Sequence, residues 1–254
     1  MLFLRSLIGN IWIYGMIGIG VIGGGTIGWL WPRKWHVYWW NHLILTPLVR
    51  GMKFFGGLDV EFRGLQYLND KAVYACKHES AWETYVLTSV LDKATIILKK
   101  ELMYIPLFGW AAALYGLIPV DRSAGTSAMK KMLAAAKKKV AEGRPIVIFP
   151  EGHRMPAGTS QKYKPGFLFL AQNLKMPVIP VALNSGMFWP RSSFKHIPGK
   201  IIVEFMPPMT IEGNKEEFME AIRKRIEDKC EELNFEAMRD YPDCKVNYHG
   251  SKPV

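Results

Sequence analysis

Cysteine is scarce in this sequence: Cys76, Cys230 and Cys244 are the only three in 254 residues, an odd number with no C-x-x-C spacing. That suggests neither a disulfide framework nor a zinc site, and it fits a reducing cytoplasmic setting. Acidic side chains are also in short supply, 22 against 33 lysines and arginines, which leaves a formal charge of +11. Such an excess favours an anionic partner: nucleic acid, an anionic membrane surface or a phosphorylated small molecule. Internal repeats, low-complexity linkers and a disorder-prone composition are missing as well. With 49% hydrophobic content, 254 residues provide for one substantial domain plus an accessory element. Most telling is the complete absence of charge from Ser6 to Trp31.

A helix over that run would cover about 39 Å, more than the ~30 Å of a hydrocarbon core. A cleaved signal peptide has a shorter apolar core and a small-residue exit, so the run reads as an uncleaved membrane segment. Its Gly20-x-x-x-Gly24-x-x-x-Gly28 spacing suits close helix packing in lipid, self-association included. Trp31, Trp35, Tyr38, Trp39 and Trp40, with Arg33, Lys34 and His36, form the mixture expected at headgroup level. From Asn41 to Gly57 the chain stays apolar but is interrupted by Pro47, Arg50 and Lys53, which predicts a short interfacial helix rather than a second full span. Residues 1–57 are therefore expected to form a membrane anchor and 58–254 a separate domain. Positive charge is denser after the apolar run than before it, which places the downstream domain on the cytoplasmic side, also if the segment dips in and returns.

Beyond Gly57 the periodicity alternates. Strands are predicted at Val60–Arg63, Ala72–Cys76, Ala94–Leu98, Gly116–Val120, Pro145–Phe149, Val178–Leu183 and Ile201–Phe205, and helices at Trp82–Leu91, Gly109–Tyr115, Thr126–Glu142 and Gly166–Leu174. This alternation argues an α/β fold with a mixed, largely parallel sheet flanked by helices. Lys215–Met238 reads as a charged amphipathic helix with Phe218, Ile222, Ile226 and Leu233 on its apolar face and its charges in solvent.

Chemistry concentrates where strands end. After Cys76 comes Lys77-His78-Glu79-Ser80-Ala81-Trp82-Glu83. In one continuous helix His78 and Glu83 would lie about 140° apart. If His78 instead occupies the turn before a helix starting near Ser80, Glu83 can reach back and fix the imidazole as a general base. A second reading of the same residues is a capping box, in which Ser80 and Glu83 satisfy the first backbone donors of that helix. After Val120 comes Asp121-Arg122, by itself a turn with a surface ion pair. After Phe149 comes Pro150-Glu151-Gly152-His153-Arg154, a carboxylate, a flexible glycine and an arginine suited to phosphate. In α/β sheets ligands gather beyond the carboxyl ends of strands, where all three stretches fall. Glu79 follows His78, but no second histidine stands at the zincin spacing.

These motifs, in this order and together with Val178-Ile179-Pro180-Val181-Ala182, resemble those of the membrane-bound glycerophospholipid acyltransferases, in particular the 1-acylglycerol-3-phosphate (lysophosphatidic acid) acyltransferase type, over about Lys77 to Pro208. The resemblance implies direct transfer of an acyl chain from acyl-CoA or acyl-carrier protein to the free hydroxyl of 1-acyl-glycerol 3-phosphate, giving phosphatidic acid for phospholipid biosynthesis. It implies His78 as the base, Glu83 as its orienter, and Arg122, Glu151, Gly152 and Arg154, assisted by Lys100, as the acceptor site. A thioester is already activated, so no metal, nucleotide cofactor or covalent enzyme intermediate is required. Backbone N–H groups at the helix start after His78 are the candidate oxyanion donors. The expected partners are a membrane lipid, the acyl donor and an anionic membrane surface rather than nucleic acid, and the expected location is a bacterial inner membrane with the catalytic domain facing the cytoplasm.

Two positions depart from the family's pattern. Glu83 stands for the usual aspartate, and His153 stands where threonine or serine is common, as a phosphate contact or as a loop residue with no direct role. Either departure is compatible with a different acceptor, such as a lyso-ornithine lipid or glycerol 3-phosphate. Met103, Phe108 and Trp110 read as core or lipid-facing residues, with the lining of an acyl tunnel as the alternative. The rival class is a membrane-anchored binding protein without chemistry, which explains the charge and the anchor but not the clustering of histidine, carboxylates and arginines at strand ends.

Overall fold

The strand Val178–Leu183 is buried at every position, as is Val73–Cys76 beside it, and apolar runs covered on both faces belong at the centre of a sheet. The structure is a computed structural model that describes residues 2–30, 32–211 and 213–250. In chain order it places α1 (Leu2–Thr26), α2 (Arg33–Trp39), α3 (Thr46–Gly51), β1 (Leu58–Arg63), β2 (Val73–Cys76), α4 (Trp82–Val90), β3 (Thr95–Lys99) and α5 (Phe108–Tyr115). There follow β4 (Ile118–Val120), α6 (Gly125–Ala141), β5 (Ile146–Ile148), α7 (Pro165–Leu174), β6 (Val178–Leu183), α8 (Ser185–Phe188), β7 (Gly199–Phe205) and α9 (Lys215–Asp240). Among the described residues the strands form one seven-stranded sheet in the order β1-β7-β6-β2-β5-β3-β4. Its pairings are parallel except β6 with β7, so β7 and the parallel-paired β1 run against the rest. The mixed, largely parallel sheet flanked by helices is the architecture read from the alternating pattern.

The parallel register brings the ends of β2 and β5 side by side, with Tyr74 opposite Val147 and Ala75 opposite Ile148. The turns after Cys76 and after Ile148 are therefore neighbours. α9 covers one face through Phe218, Ile222, Ile226, Cys230, Leu233 and Ala237, a helical stripe of buried residues. Its exposed charges are tied to one another in pairs such as Lys224–Asp228 and Lys229–Glu232.

The N-terminal region differs from the expected short interfacial helix. After Pro32 the chain is helical without interruption from Arg33 to Gly56, through α2, a π-helical turn at Trp40–Leu45, α3 and a second π-helical turn at Met52–Gly56. This arm runs back antiparallel along α1: Gly9 meets Gly56, Gly51 meets Trp12, Gly20 meets Trp40 and Ile44, and Gly24 and Gly28 meet His36. Pro47 does not stop it: the proline stands in the first turn of α3, directly after the π-helical turn, and the Asn41 carbonyl accepts both the Thr46 N–H and, at 2.9 Å, Thr46 Oγ1. A Cβ at Gly20 would lie 1.9 Å from the Trp40 ring, so the glycine stripe is occupied within the chain rather than left for a second copy. The hairpin also returns the start of α1 to the sheet: Arg5 lies against Gly57, and Asn10 Nδ2 donates to the Phe194 carbonyl at 2.8 Å.

The segment Leu2–Leu30 is long and apolar enough to cross a membrane. Phe3, Leu4, Ile8, Ile11, Ile19, Ile22, Trp29 and Leu30 are exposed on it, and Trp35, Tyr38, Leu43 and Phe54 are exposed on the returning arm. Trp31, which the sequence reading grouped with the aromatic cluster, lies outside the described residues. Ile13, Leu48 and Met52 of the hairpin share one buried cluster with Trp82, Val86 and Leu87 of α4 and with Tyr74, Val147 and Ile179 of the sheet.

Candidate active site

β2 ends at Cys76, and the next residues make a tight turn before α4 begins at Trp82. Glu83, in the first turn of α4, bends back over that turn. Its Oε1 accepts from His78 Nδ1 at 2.7 Å and from the backbone N–H groups of Glu79 and Ser80, each at 2.8 Å. Its Oε2 accepts from Ser185 Oγ at 2.8 Å. Ser80 Oγ in turn accepts from the Trp82 N–H at 3.2 Å. The two readings of this stretch are thus one object: the glutamate caps the helix start and also grips the imidazole. The extra methylene of glutamate is taken up by the backward fold of its side chain.

An oxygen already receiving two backbone N–H groups is an acceptor toward the ring as well, so the shared proton belongs on Nδ1 and Nε2 keeps its lone pair. The imidazole stacks on Phe149, centroids 4.0 Å apart and planes 20° from parallel. With one nitrogen held and one face covered, the ring has a single orientation.

A cavity of about 390 Å³ opens at His78 and Arg154. Its walls are mostly apolar: Thr84 and Tyr85 of α4, Ile96 and Leu98 of β3, Leu102, Ile105 and Phe108 beyond it, and Ile44, Leu45 and Leu48 from the returning arm of the hairpin. Phe108 lines this cavity, whereas Trp110 is 55% exposed on the outside of α5. An apolar channel with a few polar groups at its mouth is the usual form of a site for an aliphatic ligand.

The cationic residues are not all placed alike. Arg154 lines the same cavity as His78. Arg122 follows β4 and is exposed. Around His153, burial first and then the charges of Arg191, Lys164, Arg122 and His78 depress the imidazole's pKa, which puts these groups within electrostatic reach of one another. Lys100 stands at the edge with its ammonium 3.2 Å from Asp121 Oδ2. The hydroxyl and N–H of Ser123, with Lys100, draw Asp121 down to about 2.

Gly152 has φ +77°, the left-handed region, and a side chain there would touch Lys164. The conformation reverses the chain directly after Glu151, which explains glycine at this position.

Two expectations fail on this geometry. Glu151 does not face an acceptor: it is fully buried, its Oε1 lies 2.7 Å from Lys77 Nζ, and its Oε2 accepts the His78 backbone N–H at 2.9 Å. Having both oxygens engaged inside the protein, it braces the turn from behind. Nor do the first N–H groups after Cys76 await an oxyanion. Those of His78, Glu79 and Ser80 already point at the carboxylates of Glu151 and Glu83.

Ser185, Phe149 and Lys77 were not legible as site residues. Ser185 is 102 positions from Glu83 in sequence, with no local pattern to link them. Phe149 reads as the end of a strand. Lys77 carried one signal, a charged residue directly continuing a buried strand.

A held imidazole and an arginine lining one apolar cavity can take a proton from an alcohol while an aliphatic chain lies in the cavity, an arrangement suited to acyl transfer. The comparisons agree. The family model described as Acyltransferase matches residues 59–184. The chain is 36% identical to the 1-acyl-sn-glycerol-3-phosphate acyltransferase of Pseudomonas aeruginosa over 72% of this chain and 69% of that protein. It is 29% identical to the Cocos nucifera protein of the same name over 63% of this chain and 53% of that one, so the match spans about half the length of the plant relative. The crystal structure of the 1-acyl-sn-glycerophosphate (LPA) acyltransferase PlsC from Thermotoga maritima superposes with a TM-score of 0.65 over 92% of this chain and 99% of that one, and at 19% identity it shows the shared fold. The chain belongs to the 1-acyl-sn-glycerol-3-phosphate acyltransferase family, a family of O-acyltransferases.

Proposed function

We propose that this protein transfers an acyl chain from a thioester, acyl-CoA or acyl-carrier protein, to the free hydroxyl of 1-acyl-sn-glycerol 3-phosphate, with His78 as the general base. The observation that carries this reading is the 2.7 Å contact between His78 Nδ1 and Glu83, which leaves Nε2 as the available ring nitrogen of a histidine that lines an apolar cavity together with Arg154. Nε2 takes the hydroxyl proton as the oxygen attacks the thioester carbonyl. The tetrahedral intermediate collapses with loss of thiolate, and the imidazolium returns its proton to the sulfur. Glu83 stabilises the imidazolium and keeps its orientation. Arg154 and Arg122, with Lys164, hold the phosphate. No metal, nucleotide or covalent enzyme intermediate enters the sequence.

The N-terminal segment 1–57 is assigned to the membrane, with the domain from 58 onward on the cytoplasmic face of a bacterial inner membrane. The exposed apolar side chains on both arms support that assignment. Because the two arms are antiparallel, the N-terminus and the catalytic domain lie on the same side. A membrane-seated cavity entrance also explains how a lipid acceptor reaches His78 without leaving the bilayer surface.

The test is an acceptor panel. Full-length protein in mixed micelles is given acyl-CoA and, separately, 1-acyl-sn-glycerol 3-phosphate, lyso-ornithine lipid and glycerol 3-phosphate, and thiol release is recorded. Turnover on the first, at least about tenfold above the others in kcat/KM, is expected, because the competitors lack either the phosphate or the acyl chain that the site would hold. Turnover confined to either of the others would replace the acceptor assignment.

A further inference from the structure

Behind the catalytic turn lies a buried charge cluster that the acyl-transfer scheme does not use. Lys77, the residue immediately before His78, has a side chain only 1% exposed. Its ammonium lies 2.7 Å from each of three acceptors: Glu151 Oε1, Glu227 Oε2 and the Thr159 carbonyl. Two of these contacts, to Glu227 and to the Thr159 carbonyl, are hydrogen bonds, and the third, to Glu151, is a buried ion pair. Glu227 is the one acidic residue of α9 drawn inward onto this cluster, and Tyr163 donates its hydroxyl to Glu227's other oxygen at 3.2 Å. The far oxygen of Glu151 receives the His78 N–H. A continuous polar chain thus runs from α9 through Glu227, Lys77 and Glu151 to the backbone of the proposed base.

The electrostatics give Lys77 a task beyond filling space. Burial pushes the Glu151 carboxyl up to about 7, and the pull in the other direction comes from Lys77 first and then the His78 N–H. Burial also acts against the ammonium, yet Glu151, Glu227 and Glu79 together raise its pKa above the ordinary lysine range. Without the lysine, Glu151 would be an uncompensated buried carboxylate, which folded proteins avoid by protonating or by moving. Either response loosens the charge-assisted bond to the His78 N–H and, with it, the placement of the imidazole relative to the cavity.

We propose that Lys77 is a positioning residue for His78, acting through Glu151, with Glu227 of α9 completing the clamp. This rests on the reading of His78 as the base. It also assigns the carboxylate of the third motif to holding the catalytic turn rather than to contact with the acceptor.

The experiment compares full-length wild type, His78→Ala, Lys77→Met, Glu151→Gln and the double variant Lys77→Met/Glu151→Gln in the thiol-release assay, with kcat and KM measured separately and melting recorded. Lys77→Met is expected to lower kcat by about 10- to 100-fold with KM within about threefold, as befits a lost charge-assisted contact that acts on placement rather than binding. The double variant is expected to recover at least about fivefold of that loss, because a glutamine oxygen still accepts the His78 N–H and the fully buried carboxylate behind it is gone, while Glu227, 16% exposed, keeps access to solvent. A purely structural lysine would lower the melting temperature and leave kcat of the folded protein unchanged. Lys77→Met with kcat within about twofold of wild type overturns the proposal, and so does a double variant no better than the single one. If Lys77→Met does not fold, the double variant decides alone: kcat within about tenfold of wild type upholds the proposal, and a folded but inactive protein overturns it. His78→Ala separates the two claims. Full activity there removes the base itself, whereas an inactive His78→Ala beside a fully active Lys77→Met removes only the role of Lys77.

Discussion

The turn from Lys77 to Glu83 and the helical hairpin of residues 2–56 are held in place by opposite means. In the turn, three consecutive backbone N–H groups and one ring nitrogen are taken up by two buried carboxylates, and each carboxylate has a second partner, Lys77 or Ser185. In the hairpin, glycines let aromatic side chains and the opposing backbone approach, and polar contacts are few. Directional bonds fix an orientation, while apolar contact fixes a separation and leaves the surface free to face lipid. The cavity between them takes its polar mouth from the first region and several of its walls from the second. The difference teaches that changes in the turn should act on kcat, whereas changes in the hairpin should act on stability and on which chains fit.

The largest effect short of removing the base should come from Glu83. Glu83→Gln keeps an oxygen and the volume but places an amide where donors converge, and kcat is expected to fall by about 10²-fold with little change in KM. Equal kcat for this variant and wild type would erase the distinction between the two regions. Arg154→Ala should lower kcat/KM by about 10- to 100-fold for a phosphorylated acceptor, the value of a lost charged hydrogen bond, and should lower it less for an acceptor lacking the phosphate. Steady-state kinetics on the two acceptors check this.

In the hairpin, Gly20→Leu drives a side chain into the Trp40 ring and is expected to destabilise by about 1–3 kcal/mol, seen as a lower melting temperature with kcat of the folded protein nearly intact. A loss of kcat without loss of stability would show that the hairpin also tunes the chemistry. Ser185→Ala, which removes one of four donors to Glu83, should cost about 1 kcal/mol, or roughly a fivefold drop in kcat.

A titration sharpens the contrast further. Burial pushes Glu79 up to about 8, against the opposing charge of Lys77 and the N–H of Gly186. A carboxyl with a folded pKa above its unfolded value adds stability below the unfolded pKa and loses it as pH rises through the folded one. Wild-type melting should therefore decline from pH 5 to pH 8 more steeply than that of Glu79→Gln. A parallel decline in the two proteins would contradict the buried state of this carboxyl.

Much of this could be read before any coordinates. The seven strands and the helices α4, α6, α7 and α9 follow from hydrophobic periodicity, because buried strands such as Val178–Leu183 and stripes such as Phe218-Ile222-Ile226 repeat at the periods of their elements. The meeting of His78 and Glu83 was legible because both lie within one turn and helix start. What escaped has a common physical cause. Ser185 and Glu227 join the site across 102 and 150 positions of sequence, and no local period encodes such a contact. Glu227 was read with the solvated face of its helix, and only the docking of α9 turns it inward. Glu151 was read by its residue type beside an arginine, whereas the left-handed turn at Gly152 sends the carboxylate inward and leaves Arg154 to face the cavity. The long returning helix was hidden by Pro47, whose disruption a π-helical turn absorbs.

The measurement that bears most directly on the account is kcat of purified His78→Ala with 1-acyl-sn-glycerol 3-phosphate and acyl-CoA, on protein shown by its melting curve to be folded. Removal of the base predicts a fall of about 10²- to 10⁴-fold with acceptor KM little changed. Thiol release at the wild-type rate would contradict proton transfer through this histidine and leave the cavity without its proposed chemistry.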